Sequence, residues 1–169
     1  MPLGRTYTVN SGAITVTTTS TTPILACVTS STAICDIECI RIGIYSGSGI
    51  SYPSNGTVLC SLQRVVTPGT TSGTVTPFPH NQSDIAANTA WSTGGWQTTP
   101  VPASPAQILW SQSIPFTAGA NWAEWVTPGA EWRVSGTGSS TGAAYVALFV
   151  ACSSAGSGTE FTGEIVFSE

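Results

Sequence analysis

The sequence contains no lysine, and arginine is rare: Arg5, Arg41, Arg64 and Arg133 are its only cations. Charged residues make up 7% of the chain, against about 25% in an average soluble domain. With a formal net charge of -4, the chain offers no basic patch for phosphates, so a nucleic-acid partner is not expected. Because charges usually guard sheet edges, we expect closure, loops or partner subunits to cover the edges here.

Long apolar runs are also missing. None reaches the roughly 18 residues needed to span a bilayer, and the N-terminus MPLGRTYTV lacks the basic and then apolar regions of a secretory signal. Membrane insertion and Sec-dependent secretion are therefore not expected.

The helix formers Lys, Glu, Leu and Gln are scarce, whereas the chain has 26 Thr and 22 Ser. Threonine, valine, isoleucine and aromatic residues favour strands. We predict one all-β domain over residues 6–169 after a short arm at 1–5, with about ten antiparallel strands forming a sandwich or barrel and little or no helix. A long loop rich in Pro, Gly, Ser and Thr is predicted at 68–105, where it has a structural or functional role.

The stretch from Cys35 to Thr67 is predicted to form the central hairpin. Pairing residues whose numbers add to 102 brings Ile42 opposite Cys60, with the neighbouring apolar residues on one face. The same register places Glu38 opposite Arg64, and we predict a structural ion pair between them.

The late segment AAYVALFVAC is apolar on both faces of a strand, and it is predicted to pair with EFTGEIVFS in a terminal hairpin. One face carries Tyr145, Ala147 and Phe149. A strand buried on both sides belongs either to the centre of a sandwich or to a subunit interface.

The five cysteines show no C-x-x-C spacing and lie in apolar, strand-like segments. We interpret them as buried free thiols. With one histidine and no Asp-rich loop, neither a metal site nor a cofactor is expected.

Few residues of the chain are candidates for catalysis. His80 and Asp84 would need a nucleophile beside them in the proline-rich loop, where Asp84 better suits the cap of a turn or short helix. Asp36 and Glu38 are better explained as structural charges than as a catalytic pair. The glycine string at 136–142 lacks the lysine of a phosphate-binding loop. We therefore do not expect an enzyme.

The six tryptophans suit packing, contact with a partner protein or stacking on sugar rings. Trp91 and Trp96 lie in the long loop. Trp122 and Trp125 are three residues apart, which puts them on opposite faces of a strand. These four are the candidates for partner contact.

The layout resembles that of small, all-β virion proteins from the structural modules of tailed bacteriophages. The likeness rests on RTYTVNSGAITV, RIGIYSG, LQRVVTPGT, TPFPHNQSDIAANTAW, WVTPGAEWRV and EIVFSE. It implies a jelly-roll-like homotrimer that decorates or cements the capsid surface by bridging major capsid subunits, after assembly in the host cytoplasm, with no catalytic residues.

On that resemblance, the long loop and the N-terminal arm would contact the capsid, and Tyr145, Ala147 and Phe149 would contribute to the trimer. The rival hypothesis is a receptor-binding or carbohydrate-binding head domain of a fibre or adhesin, which would use the long loop and its tryptophans.

Overall fold

The computed structural model describes residues 4–16, 21–27, 34–45, 57–115, 122–126, 132–135, 145–152 and 159–169. Within these ranges every regular element is a β-strand, and no helix suited to crossing a membrane is found among them. The strands are β1 (Thr6–Asn10), β2 (Ile14–Val16), β3 (Thr22–Cys27), β4 (Ile34–Tyr45), β5 (Thr57–Thr67), β6 (Thr70–Thr71), β7 (Thr74–Val75), β8 (Phe78–Pro79), β9 (Trp91–Ser92), β10 (Trp96–Thr98), β11 (Val101–Pro102), β12 (Ile108–Pro115), β13 (Trp122–Val126), β14 (Trp132–Ser135), β15 (Tyr145–Cys152) and β16 (Thr159–Ser168).

One sheet, called sheet A here, is built on β4 and β16, which pair antiparallel over most of their length. On the far side of β16 lie β1 and β2, one after the other, and β8 pairs with the outer side of β1. The free side of β4 pairs with β13 and then β14, so these two strands also follow each other along one line.

The second sheet, sheet B, has the order β12, β5, β15, β3, with β11 beside β12 on the same side of β5. Its other edge is extended by β9 and then β7. A separate ribbon of β6 and β10 completes the strand pairing in the described residues.

The connectivity is that of a jelly roll. If β1 with β2, and β13 with β14, are each taken as one interrupted strand, each sheet has four principal strands. Every connection between principal strands crosses to the other sheet, except the one from β5 to β12, which are neighbours in sheet B. Such a pair of four-stranded sheets is a double-sheet jelly roll. The predicted all-β, jelly-roll-like sandwich is therefore confirmed, and the described residues form ten strands outside the 68–105 segment and six short ones inside it.

The core lies between the sheets because each strand turns its apolar face inward. The isoleucines of β4 at 40, 42 and 44 and the inward residues of β5 at 58, 60 and 62 belong to one buried cluster. A bulge at Glu38, where Ile37 pairs with Phe167 but Cys39 pairs with Val166, lets Ile37 join the same face.

The predicted central hairpin is wrong. The strands β4 and β5 do not pair, because they lie in opposite sheets. Their apolar faces meet across the sandwich instead of side by side, and the cross-strand pair of Glu38 with Arg64 disappears with the hairpin register. Across β5, Arg64 pairs with Val146 of β15.

The predicted terminal hairpin is wrong for the same reason. The strand β15 pairs with β3 and β5 in sheet B, and β16 pairs with β1, β2 and β4 in sheet A. In a jelly roll, strands adjacent in sequence mostly face each other across the core.

Candidate interaction surfaces

The 68–105 segment is folded onto the sandwich frame. Its strand β8 pairs with β1 in sheet A, while β9 pairs with β3 in sheet B and β7 pairs with β9. The segment therefore covers the β1 edge of sheet A and the β3 edge of sheet B. At the opposite edge of sheet B, β11 pairs with β5. The expectation that loops cover sheet edges holds for this part of the molecule.

A threonine joins the segment to both sheets. The Thr93 hydroxyl lies 3.1 Å from the carbonyl oxygen of Ser11, next to β1, and 2.8 Å from that of Ile24 in β3. Close to it, Gly73 lies so near the Thr93 carbonyl that an added Cβ would overlap it. Glycine at 73 therefore lets the backbone at this position approach the backbone at Thr93.

The last residue of the chain holds the middle of the segment. The Glu169 carboxylate accepts hydrogen bonds from the backbone N–H groups of Asn88, at 2.8 Å, and Thr89, at 2.7 Å, and from the Thr89 hydroxyl. The Glu169 backbone bonds in both directions with Arg5. Sequence reasoning missed this clamp, since nothing in the local pattern of a terminal glutamate distinguishes it from a solvated one.

Trp91 is a core residue and not a partner contact. Only 1% of its surface is exposed, and its ring packs on Phe167 with 5.4 Å between centroids. Phe167 in turn stacks on Tyr7 at 5.5 Å, and the Tyr7 hydroxyl donates to the Ile85 carbonyl. The Trp91 indole N–H is buried with no hydrogen-bond partner, so its position is set by packing.

Trp96 covers part of the outer face of sheet B. Its indole N–H donates to the Pro23 carbonyl at 2.9 Å. Its ring packs beside a small second cluster on that face, made of Ala26, Val65, Ala147 and Phe149, with Tyr145 at the side. Trp96 is thus half-buried and used within the chain.

This cover explains why β15 is apolar on both faces. Ala147 and Phe149 are buried inside the single chain, which corrects the expectation that they form a trimer interface, because they have no surface left to offer. Tyr145 is partly exposed, and its place in an interface stays a prediction.

Of the tryptophan pair in β13, Trp125 is half-buried and packs against the main core. It sits opposite Ile40 of β4. The side chain of Trp122 falls outside the described residues, although its backbone pairs with Gly43. Their contact with a partner stays a prediction.

The other half of the outer face of sheet B, over β5 and β12, is open. Leu59 is 46% exposed and Ile108 is 55% exposed. Between them lie Ser61 and Ser111, which pair across the two strands. This open surface is called the neutral face below, because its outward side chains carry no charge.

Charge is concentrated in sheet A. Of the twelve charged residues in the chain, seven are in its strands and one, Arg64, is in a strand of sheet B. The seven are Asp36, Glu38, Arg41, Glu124, Arg133, Glu160 and Glu164. Five are carboxylates, so the strands of sheet A are acidic.

At the centre of that acidic surface, Arg41 bridges two glutamates from neighbouring strands. Its guanidinium donates to Glu124 and to Glu164, both at 2.6 Å. These hydrogen bonds, first that to Glu124 and then that to Glu164, raise the pKa of Arg41. The triad was missed from sequence because the three residues come from strands that only the sheet order brings together.

Two of the three exposed large apolar side chains on the 68–105 segment lie near β1. Phe78, in β8 at the edge of sheet A, is 70% exposed, and Ile85 is 57% exposed. Both lie next to β1: Phe78 pairs with Thr8, and the Ile85 carbonyl accepts from Tyr7. They are called the loop patch below.

His80 and Asp84 do not form a catalytic pair. His80 Nε2 is 2.6 Å from the Thr8 hydroxyl, whereas Asp84 lies 3.9 Å from Arg5 Nε. The Asp84 N–H donates to the Asn81 carbonyl in a turn, and the short helix considered for this stretch does not form. Among the described residues, no group of three His, Cys, Asp or Glu side chains could hold a metal ion. The glycine string at 136–142 lies outside them.

All five cysteines are buried free thiols, as predicted. Burial, and then the neighbouring Cys152, raises the pKa of Cys60 to about 12. A hydrogen bond with Cys27, and then burial, raises the pKa of Cys35. Burial also raises the pKa of Cys39 and Cys152. Such thiols are poor nucleophiles at neutral pH, so they belong to the core and not to a site.

Comparison with known proteins does not assign the chain to a family. No protein-family model matches it, and no curated protein matches it in sequence.

Proposed function

We propose that this chain is a non-enzymatic structural protein of a tailed-phage virion, which decorates or cements the capsid surface as a homotrimer by bridging major capsid subunits. The observation that carries the proposal is the separation of surfaces on a jelly-roll frame: an acidic sheet, a neutral sheet face and an apolar loop patch. A protein that bridges neighbours needs more than one contact surface.

The loop patch is the proposed capsid contact. Phe78 and Ile85 are the two most exposed large apolar side chains among the described residues, and the segment that carries them is held by Glu169, Thr93 and Trp91. A contact surface held rigid before binding loses less conformational entropy on binding. The N-terminal arm leads into β1 directly beside it, and residues 1–3 lie outside the described part.

Cementing follows from mass action. A protein that binds the assembled lattice but not the free subunits stabilises the lattice by an amount that grows with the logarithm of its free concentration relative to its dissociation constant. Several contacts in one oligomer act together, so each contact can be weak.

The carbohydrate-binding alternative has less support. This alternative relies on the tryptophans of the long loop, but Trp91 is buried and Trp96 lies half-buried with its N–H committed to Pro23. This alternative predicts specific binding on a glycan array, and such binding without particle binding would replace our proposal.

The test uses purified virions and the isolated protein. We expect mass spectrometry to find the chain in particles at a stoichiometry near that of the major capsid subunit, and stripped particles to regain thermal stability when the protein is added back. Phe78→Glu should weaken particle binding at least tenfold. The matched control is Val101→Glu, which changes an exposed valine elsewhere on the same segment, 48% exposed, and should bind as the wild type does. Absence of the chain from particles, or equal effects of both variants, would contradict the proposal.

A further inference from the structure

The neutral face is unusual for a protein surface. Along β5 the residues of this face are Leu59, which is exposed, Ser61, which is buried among its neighbours, and Gln63, which is half-buried. Arg64, the charged residue of this strand, alternates to the opposite side. Designed soluble surfaces are given about 25–35% charged residues, whereas interface cores are depleted of charge. A charge-free face with exposed leucine and isoleucine has the composition of an interface.

The chain covers only half of sheet B itself. Trp96 and its segment lie over β15 and β3 and reach the buried Val65 near one end of β5, whereas Leu59 of β5 and Ile108 of β12 stay exposed. Leu59 pairs with Ser113 and Ile108 pairs with Gln63, so the two apolar side chains stand about 13 Å apart along the strands, with the serines between. The Gln63 side-chain amide donates to the Ser61 hydroxyl at 2.8 Å. These two polar side chains therefore bond to each other within the face.

The adjoining edge has the same character. The principal strand at this edge of sheet B is β12, eight uncharged residues long, and no strand in the described ranges pairs with its outer side. Uncharged edges of this length are prone to associate with other chains.

The charge distribution favours a second copy of the chain as the partner. Each copy carries a formal charge of -4, so two copies repel if their acidic strands meet. If two copies pack through their neutral faces, the sheet A of each copy lies behind its own sheet B, about 10 Å further from the contact. Two such layers exceed the Debye length of about 8 Å at physiological salt, so the repulsion is screened. A neutral face also gives a charged partner no complementary charge to bind.

We propose that the neutral face, centred on Leu59 and Ile108, is the contact between two copies of this chain. The inference rests on the proposed function in that it locates the subunit interface of the proposed trimer, in which the neutral face of one copy meets the adjoining β12 edge of the next around the three-fold axis. It moves that interface from the buried residues of β15 to the open side of the same sheet.

The test is the oligomeric state of the full chain, measured by size-exclusion chromatography with light scattering at micromolar concentration. The variants are Leu59→Glu, Ile108→Glu and Ser113→Arg, each checked for the wild-type circular dichroism spectrum. The control is Phe78→Glu, which places the same charge on an exposed side chain of sheet A. We expect the wild type and the control to be oligomers, and the neutral-face variants to shift towards the 17.3 kDa of one chain, with association at least tenfold weaker.

A monomeric wild type, neutral-face variants that remain oligomers, or a control that dissociates equally would overturn the inference. If Leu59→Glu or Ile108→Glu does not fold, Ser113→Arg decides, because residue 113 is exposed and polar already. Particle binding separates this inference from the proposed function. A monomer that still binds particles overturns only the interface, and an oligomer built on this face that ignores particles overturns only the function.

Discussion

Glu169 holds Thr89 in place: one carboxylate oxygen accepts the Thr89 backbone N–H at 2.7 Å and its hydroxyl as well. The other oxygen accepts the N–H of Asn88. A residue that follows the last strand of sheet A therefore fixes the segment that covers the edge of both sheets.

Replacing Glu169 by alanine should loosen this segment. Hydrogen bonds to charged groups contribute about 1.5–3 kcal/mol, and partial exposure of the carboxylate places the expected loss at the lower end. Amide hydrogen exchange at Asn88 and Thr89 should become at least tenfold faster. Glu160→Ala is the control, since that β16 glutamate makes no such bond to the segment. Unchanged exchange in Glu169→Ala would show that packing alone holds the segment.

Two strand glycines should respond oppositely to substitution by alanine. A Cβ at Gly163 would come within 2.7 Å of Ile24 and 3.0 Å of Leu148, whereas at Gly43 its nearest contact would be Thr162 at 3.9 Å. Overpacking a core costs about 1–3 kcal/mol, so Gly163→Ala should lower the free energy of unfolding by that amount. Gly43→Ala should leave it unchanged or raise it by about 0.4–1 kcal/mol, because the unfolded chain loses freedom. Urea unfolding of both variants measures this, and equal losses would contradict the packing at Gly163.

Trp91 should matter for stability and not for binding. Trp91→Ala removes a buried ring and should cost about 3–5 kcal/mol. Trp91→Phe should cost much less, because it keeps a ring against Phe167 and removes the unpaired N–H. Thermal unfolding compares the two variants. If Trp91→Phe retained full stability but lost particle binding, the assignment of Trp91 to the core alone would be wrong.

The buried thiols should make the protein less stable at alkaline pH. The pKa of Cys60 is raised to about 12, above the ordinary thiol value of about 8.5, so the folded state keeps a proton that the unfolded state releases. The stabilisation is complete below the unfolded pKa and is lost as the pH rises towards the folded one. By pH ~10 the loss is about 2 kcal/mol for such a thiol. Urea midpoints measured from neutral pH upward should fall less steeply in Cys60→Ala, and parallel curves would refute this.

The sequence was sufficient to locate the strands. Alternation of buried and more exposed residues is seen in β1, and in β4 Ile40, Ile42 and Ile44 turn inward. Alternation is a local property: which face is buried depends on the residues of one strand, whatever strand lies beside it. The burial of the cysteines follows from the same pattern.

Strand pairing was not predictable in this way. An apolar face is buried equally well beside another strand in a sheet or across the core from it, so the faces of β4 and β5 agree with both a hairpin and a jelly roll. Only the crossing of each connection between the sheets distinguishes them. Hence the Arg41 triad with Glu124 and Glu164, which depends on three strands from distant parts of the chain, came from the structure alone.

The long loop was predictable from the sequence in one respect and not in another. Its place at 68–105 could be predicted from composition, because such a length of Pro, Gly, Ser and Thr has to pack on something. Which of its side chains are buried could not be. Although both are aromatic, Trp91 lies in the core and Phe78 lies at the surface. Trp91 faces Phe167 between the sheets, whereas Phe78 pairs at the outer edge of sheet A. Likewise, the apolar residues on both faces of β15 predicted that both faces are covered. Only the folded chain shows that Trp96 covers part of the outer face of sheet B and leaves Leu59 and Ile108 exposed.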